Sequence, residues 1–174
     1  MYRSPGLANA AWFAGLGLPL TPSDRRDAAA YLAALGHDEL PLHAVMGWRK
    51  AARIAHDPGW DTQWWTREEA ERAHLMARAG ARLSQAALLE RLSAATGLAA
   101  EVIHAAAADA AQRDGGVDAA LVRAASGAAS MALHTAALAC LAGEGAGHLF
   151  MRKYRLFAFG RWPLGIVGNA FFLF

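Results

Sequence analysis

The stretch Asp118–Gly143, DAALVRAASGAASMALHTAALACLAG, decides how the rest of the chain is read. From Ala124 to Gly143 it holds twenty residues without a charge, long enough to cross a bilayer as a helix. Most of its apolar content is alanine, however, and Ser126, Ser130, His134 and Thr135 interrupt the run. Alanine contributes little transfer free energy compared with Leu, Ile or Phe. The expected element is the buried central helix of a bundle, with Asp118 as its N-cap. Ala124, Ala128, Ala132, Ala136 and Cys140 recur every four residues. Small residues on one stripe let a neighbouring helix approach to about 8 Å.

Helix signals lie upstream as well. Asn9–Leu16 reads as a short helix ending before Pro19. Thr21 is a good N-cap, Pro22 suits the first helical position, and Asp24 favours a helix start. Ala28, Tyr31, Leu32 and Leu35 then share one face, and Gly36 closes the helix. Pro41 to about Ala55 reads as a second helix with Val45, Trp48, Ala52 and Ala55 inward. The break HDPGWDTQWW precedes a capping box of Thr66 and Glu69. A long helix is expected from Arg67 to about Ala94, with Leu75, Ala79, Leu83, Ala86 and Leu89 inward. Arg67–Glu71 and Glu68–Arg72 are spaced as surface ion pairs on it. Thr96-Gly97 ends it, another helix covers Leu98 to Arg113, and Asp114-Gly115-Gly116 is a turn. The fold class expected is mainly α, a bundle of about five to six helices.

The tail differs. Tyr154 to Phe159 is aromatic and strand-like, and Pro163 limits pairing there. In RWPLGIVGNAFFLF, from Arg161 to Phe174, Gly168-Asn169 has the form of a two-residue hairpin turn. The expectation is one domain over 1–174, with a helical bundle over 1–148 and an aromatic β-hairpin over 149–174. A lone hairpin is not stable in water. Its aromatics must therefore pack on the bundle or on a second subunit, and an edge-paired or domain-swapped homodimer is the partner expected.

Composition bounds the function. About a quarter of the 174 residues are alanine, and Lys50 and Lys153 are the sole lysines. This bias suggests a bacterial chain encoded by GC-rich DNA. The formal charge is +2, far short of the dense basic blocks of a nucleic-acid binder. Arg152, Lys153, Arg155 and Arg161 do alternate with aromatics, but strand alternation produces that pattern by itself. No strong nucleic-acid or membrane signal results. A single cysteine, Cys140, excludes an intrachain disulfide and a thiolate cluster. The N-terminal LANAAWFAGLGLPL mimics a leader after Arg3 but lacks an A-x-A site, and a cytoplasmic location is expected.

Candidate chemistry is sparse. Glu71/His74 and Glu101/His104 are both E-x-x-H, a spacing similar to that of ferritin-like di-metal bundles. Antiparallel packing of the two expected helices would hold the motifs more than about 30 Å apart, so no metal or other cofactor is expected. Ser126, Ser130 and His134 form a polar stripe that must find hydrogen-bond partners. Ser130 and His134 are thus candidates for a polar pocket, and Trp60, Trp64, Trp65, Arg161 and Trp162 for a ligand wall. The same rings would serve equally as packing. No nucleophile elbow or oxyanion arrangement is legible. The expectation is a non-catalytic binding or assembly module that self-associates through its tail. The alternative is a small-ligand-binding protein or enzyme with a pocket near His134 and the tryptophans.

Overall fold

The computed structural model describes residues 10–174. Among them, seven helices and three strands follow in order: α1 (Pro22–Ala34), β1 (Leu42–Ala44), α2 (Trp48–Ala55), α3 (Thr62–Gly80), α4 (Gln85–Thr96), α5 (Ala99–Arg113), α6 (Ala119–Leu141), α7 (Leu149–Ala158), β2 (Pro163–Val167) and β3 (Ala170–Leu173). The fold is mainly α with a small sheet near the C-terminus. The expected Asn9–Leu16 helix is instead a run of turns over residues 12–17 that buries Trp12 and Phe13. Asn9, Arg3 and the start of the leader-like stretch lie outside the described residues.

Local signals place α1 and α6. Thr21 accepts from the Asp24 N–H while the Asp24 carboxylate accepts from the Thr21 N–H, a reciprocal cap. Ala28, Tyr31, Leu32 and Leu35 are all buried. Asp118 caps α6 by accepting from Ala120. By length and composition α6 could cross a membrane, but α3, α4, α5 and α7 pack around it. It is not enclosed along its whole length, which corrects the expectation of a central helix buried throughout. Ala119, Ala120, Arg123, Ala124, Gly127 and Met131 are exposed, whereas from Ala132 onward every residue of the helix is buried or half-buried.

Four further expectations fail for identifiable reasons. The long helix is two, because Gly80 weakens it and Ser84 caps a new one by accepting from Ala87. The inward stripe shifts phase across the break: Leu88 and Leu92 are buried, and Leu89 is exposed. The start of α3 is set by Asp61, which accepts from Gln63, while the Thr66 hydroxyl donates back to the Thr62 carbonyl. Leu42–Ala44 is a strand rather than helix, since it pairs in parallel with Phe171–Leu173. That leaves the helix there with only Trp48–Ala55, whose Trp48 N–H donates to Asp114 at 2.9 Å.

The fourth failure matters most. Leu149–Ala158 is a helix, not a strand. Phe150, Tyr154 and Phe157 fall at i, i+4, i+7, and so do Leu149, Lys153 and Leu156, so two adjoining stripes face inward. His148 caps this helix, its Nδ1 accepting from Phe150 and its Nε2 facing Glu71 at 3.0 Å. The hairpin proper is Pro163–Leu173 with the Gly168-Asn169 turn, and β1 extends it to three strands in the order β1-β3-β2. The outer edge of β2 is covered by the chain itself: Asp61 donates to Ile166 and Gly168 to Gly59.

Three apolar clusters make the core. Helix α6 reaches two of them. Helix α7 reaches all three, through Phe150 in one, Tyr154 and Phe157 in another and Leu156 in the third. The hub of the fold is therefore α7 as much as α6.

Candidate functional site

A cleft of about 320 Å³ opens where α3, α6, α7 and β2 meet. Helix α3 supplies Trp64, Trp65, Glu68, Glu69 and Arg72 to it. These sit at i, i+1, i+4, i+5 and i+8, one broad helical face. Trp60, in the turn before α3, Trp162, before β2, and Met131 and Thr135 of α6 also line it. Trp60 and Trp64 meet edge to face at 5.4 Å. Gly165 lets them do so. Its φ is +125°, and a Cβ there would lie 2.6 Å from Trp60 Nε1 and 2.9 Å from Trp64 Cζ3. The Trp60 indole N–H donates to the Leu164 carbonyl at 3.1 Å, which pins that ring against the strand.

The floor is a buried polar network. Lys153 Nζ donates to both Glu68 oxygens, at 2.8 and 2.5 Å. The Tyr31 hydroxyl donates to Glu68 at 2.5 Å and accepts from Trp64 Nε1 at 2.9 Å. Burial, then the Glu68 charge and hydrogen bond, push the Tyr31 phenol well above its ordinary pKa, so it stays a donor. The Lys153 ammonium also lies 5.0 Å from the centre of the Trp64 ring. Such a pair adds little net stability, but removing one member leaves an uncompensated buried charge. At the rim Arg72 grips Glu69 through Nε and Nη2, while Trp65 and Met131 are 57% and 52% exposed.

The residues singled out from sequence fall in several places. Trp60, Trp64, Trp65 and Trp162 line this one cleft, and Ser130 and His134 are not among its lining residues. Arg161 lies apart, buried against Asp24 and the carbonyls of Gly15, Leu18 and Pro19. Glu71 pairs with His148, and His104 Nδ1 lies 3.3 Å from the Ser126 hydroxyl. Glu101 and His74 join neither contact. Among the described residues no three His, Cys, Asp or Glu side chains gather in a way that could hold a metal.

His134 is half-buried, and burial, then the nearby Arg72 guanidinium, hold its pKa below the ordinary 6.5. Its folded form resists the proton that the unfolded form accepts. The stability it contributes is full above about pH 6.5 and falls as pH drops below that value. His134→Gln should therefore flatten the decline in urea midpoint between about pH 7.5 and about pH 5.5. An unchanged slope would remove His134 from that titration.

Glu68, Lys153, Met131 and Thr135 are not singled out by the sequence. Glu68 does carry a signal: it stands seven residues before Leu75, on the inward face. Its spacing to Arg72 suggests a surface pair instead, but Arg72 binds Glu69. Lys153 reads as one position of an alternating strand, which hides its place on an inward helical stripe. Comparison with protein-family models, with curated proteins and with solved structures finds no match to this chain.

Proposed function

We propose that the protein binds a small aromatic molecule in the cleft framed by Trp60, Trp64, Trp65 and Trp162, and that it binds without chemistry. One observation carries the reading. Two large apolar side chains, Trp65 and Met131, stand more than half exposed at the mouth of a cleft walled by further tryptophans. Exposed apolar surface beside a concave aromatic pocket is the character of a ligand-binding site. Lys153 and Glu68 hold each other as an ion pair, and the Thr135 hydroxyl, the one Ser, Thr or Cys side chain among the described residues lining the cleft, donates to backbone carbonyls rather than to a base. Self-association through the tail has less support, since Phe171, Leu173 and Phe174 are buried in their own chain.

A thermal-shift and calorimetric screen of one- and two-ring aromatic compounds tests this. Compounds that raise the melting temperature should bind the Trp65→Ala/Met131→Ala variant about tenfold or more weakly. Both side chains are exposed, so the variant should fold normally. If no compound binds, or if the variant binds as well as the parent chain, the cleft is not a ligand site.

A further inference from the structure

We propose that the ligand of this cleft is an aromatic acid, its ring held among the tryptophans and its carboxylate taken by Lys153 and Arg72. The inference rests on the reading of the cleft as a small-molecule site and goes further by assigning the chemical class.

Several hydrogen-bonding groups that line the cleft remain unused. Lys153 has three N–H groups, of which two meet Glu68. Arg72 uses Nε and Nη2 on Glu69 and leaves Nη1 without a protein partner among the described residues. The indole N–H groups of Trp65 and Trp162 donate to no acceptor among the described residues. Acceptors are scarcer. The two Glu68 oxygens already take three bonds, and the Thr135 hydroxyl, which donates to the Met131 carbonyl, adds two lone-pair sites. Glu69 keeps some capacity at the rim, but Arg72 holds both of its oxygens. The cleft is thus neutral in charge yet surplus in donors.

A ligand cation would find the π-face of Trp64 already taken, because the Lys153 ammonium lies over it. A carboxylate would instead complete the donor sets of Lys153 and Arg72 while leaving both existing ion pairs in place. Arg72 is suited to this, since its planar fork can serve two carboxylates on different edges. A cleft of about 320 Å³ sits at the small end of ligand sites, which suits one or two fused rings.

Three probes of one ring system separate the alternatives: indole-3-acetate, indole and tryptamine, each titrated into the full chain by calorimetry. Indole-3-acetate should bind at least about tenfold tighter than either of the others. Arg72→Gln should shrink that margin to about threefold or less, the loss falling more heavily on indole-3-acetate than on indole. Arg72 and Glu69 are both partly exposed, so this variant should fold. The paired variant Glu68→Gln/Lys153→Met, which removes both buried charges together, should abolish the margin. Equal binding of indole and indole-3-acetate, or tightest binding of tryptamine, would overturn the acid assignment and leave the aromatic cleft standing. Binding of none of the three, with no hit in the wider screen, would end both readings. A preference for the acid that survives both variants would show that it is held elsewhere.

Discussion

A chain stopped after His148 should not fold. The missing segment supplies Phe150 to one apolar cluster, Tyr154, Phe157, Trp162, Leu164 and Phe174 to a second, and Leu156, Ile166, Phe171 and Leu173 to the third. Each such side chain contributes about 1.5–3 kcal/mol when buried. Even after a discount for a compact unfolded state, the loss exceeds the roughly 5–15 kcal/mol by which domains of this size are stable. Circular dichroism should show reduced helix and no cooperative thermal transition, and light scattering should show aggregation. Were the tail a lid or a docking arm, the truncated chain would remain a folded, cooperatively melting protein. That result would refute the role of α7 as a hub. Phe157→Ala offers a milder test. It should cost about 3–5 kcal/mol, because the ring is fully buried where α7 meets the N-terminal turns and packs edge to face on Phe13.

Arg161→Met should cost about 3–5 kcal/mol, the loss expected when one member of a buried ion pair is removed. Four of the five N–H groups of Arg161 donate to the protein, and the guanidinium also faces Asp24 as an ion pair. Nε and Nη2 reach Asp24 Oδ2 at 3.1 and 2.9 Å, Nη1 donates to the Gly15 and Leu18 carbonyls, and Nη2 also donates to Pro19 at 2.7 Å. The guanidinium is buried in these contacts and does not line the cleft. Without the guanidinium, Asp24 is a buried carboxylate without its counter-charge, and three carbonyls lose their donor. Arg161→Lys should restore only part of the stability, since an ammonium cannot span the same acceptors.

The pH dependence gives a second measure. Burial pushes the Asp24 carboxyl up, but Thr21 and the Arg161 guanidinium together hold it below 3.8. A depressed carboxyl contributes stability that is present above its unfolded pKa and lost as pH falls through the folded one. In the parent chain this loss should therefore appear only below about pH 4. In Arg161→Met the burial remains and the guanidinium does not, so the loss should begin at higher pH. Urea unfolding across acid pH measures both effects. A cost under about 1 kcal/mol with an unshifted acid limb would show that Arg161 is only a peripheral contact.

Much of the helical framework was legible because its signals are local. Thr21 and Asp118 start helices, Gly36 and Thr96-Gly97 end them, and Gly168-Asn169 turns the hairpin, each within a few residues of sequence. The failures share a different origin. Leu42–Ala44 carries nothing that marks it as a strand until Phe171–Leu173 lies beside it. The residues from Leu149 to Ala158 have aromatic composition suited to a strand, and only their i, i+4, i+7 spacing says otherwise. The ion pairs expected on α3 rest on equally local spacing. Arg67 instead donates to the Leu35 carbonyl, Glu68 binds Lys153, and Glu71 faces His148.

The candidate site divides in the same way. Trp60, just before α3, and Trp64 and Trp65, in its first turn, are close enough in sequence to suggest an aromatic wall. The polar floor did not announce itself, because Glu68 meets Lys153 across 85 positions of chain and Tyr31 across 37. What this sequence determined by itself was where helices begin and end, that the Ala-rich segment from Asp118 is one of them, and that the chain closes on a hairpin. Those choices depend on backbone caps, on side-chain period and on turn residues, all settled within a turn or two. Only the tertiary structure decided that α7 is a hub, that a distant tripeptide completes the sheet, and that a lysine and a glutamate share the base of an aromatic cleft. A buried charge or an unpaired strand edge is stabilised by whatever group packing brings opposite it, and that group is not encoded nearby.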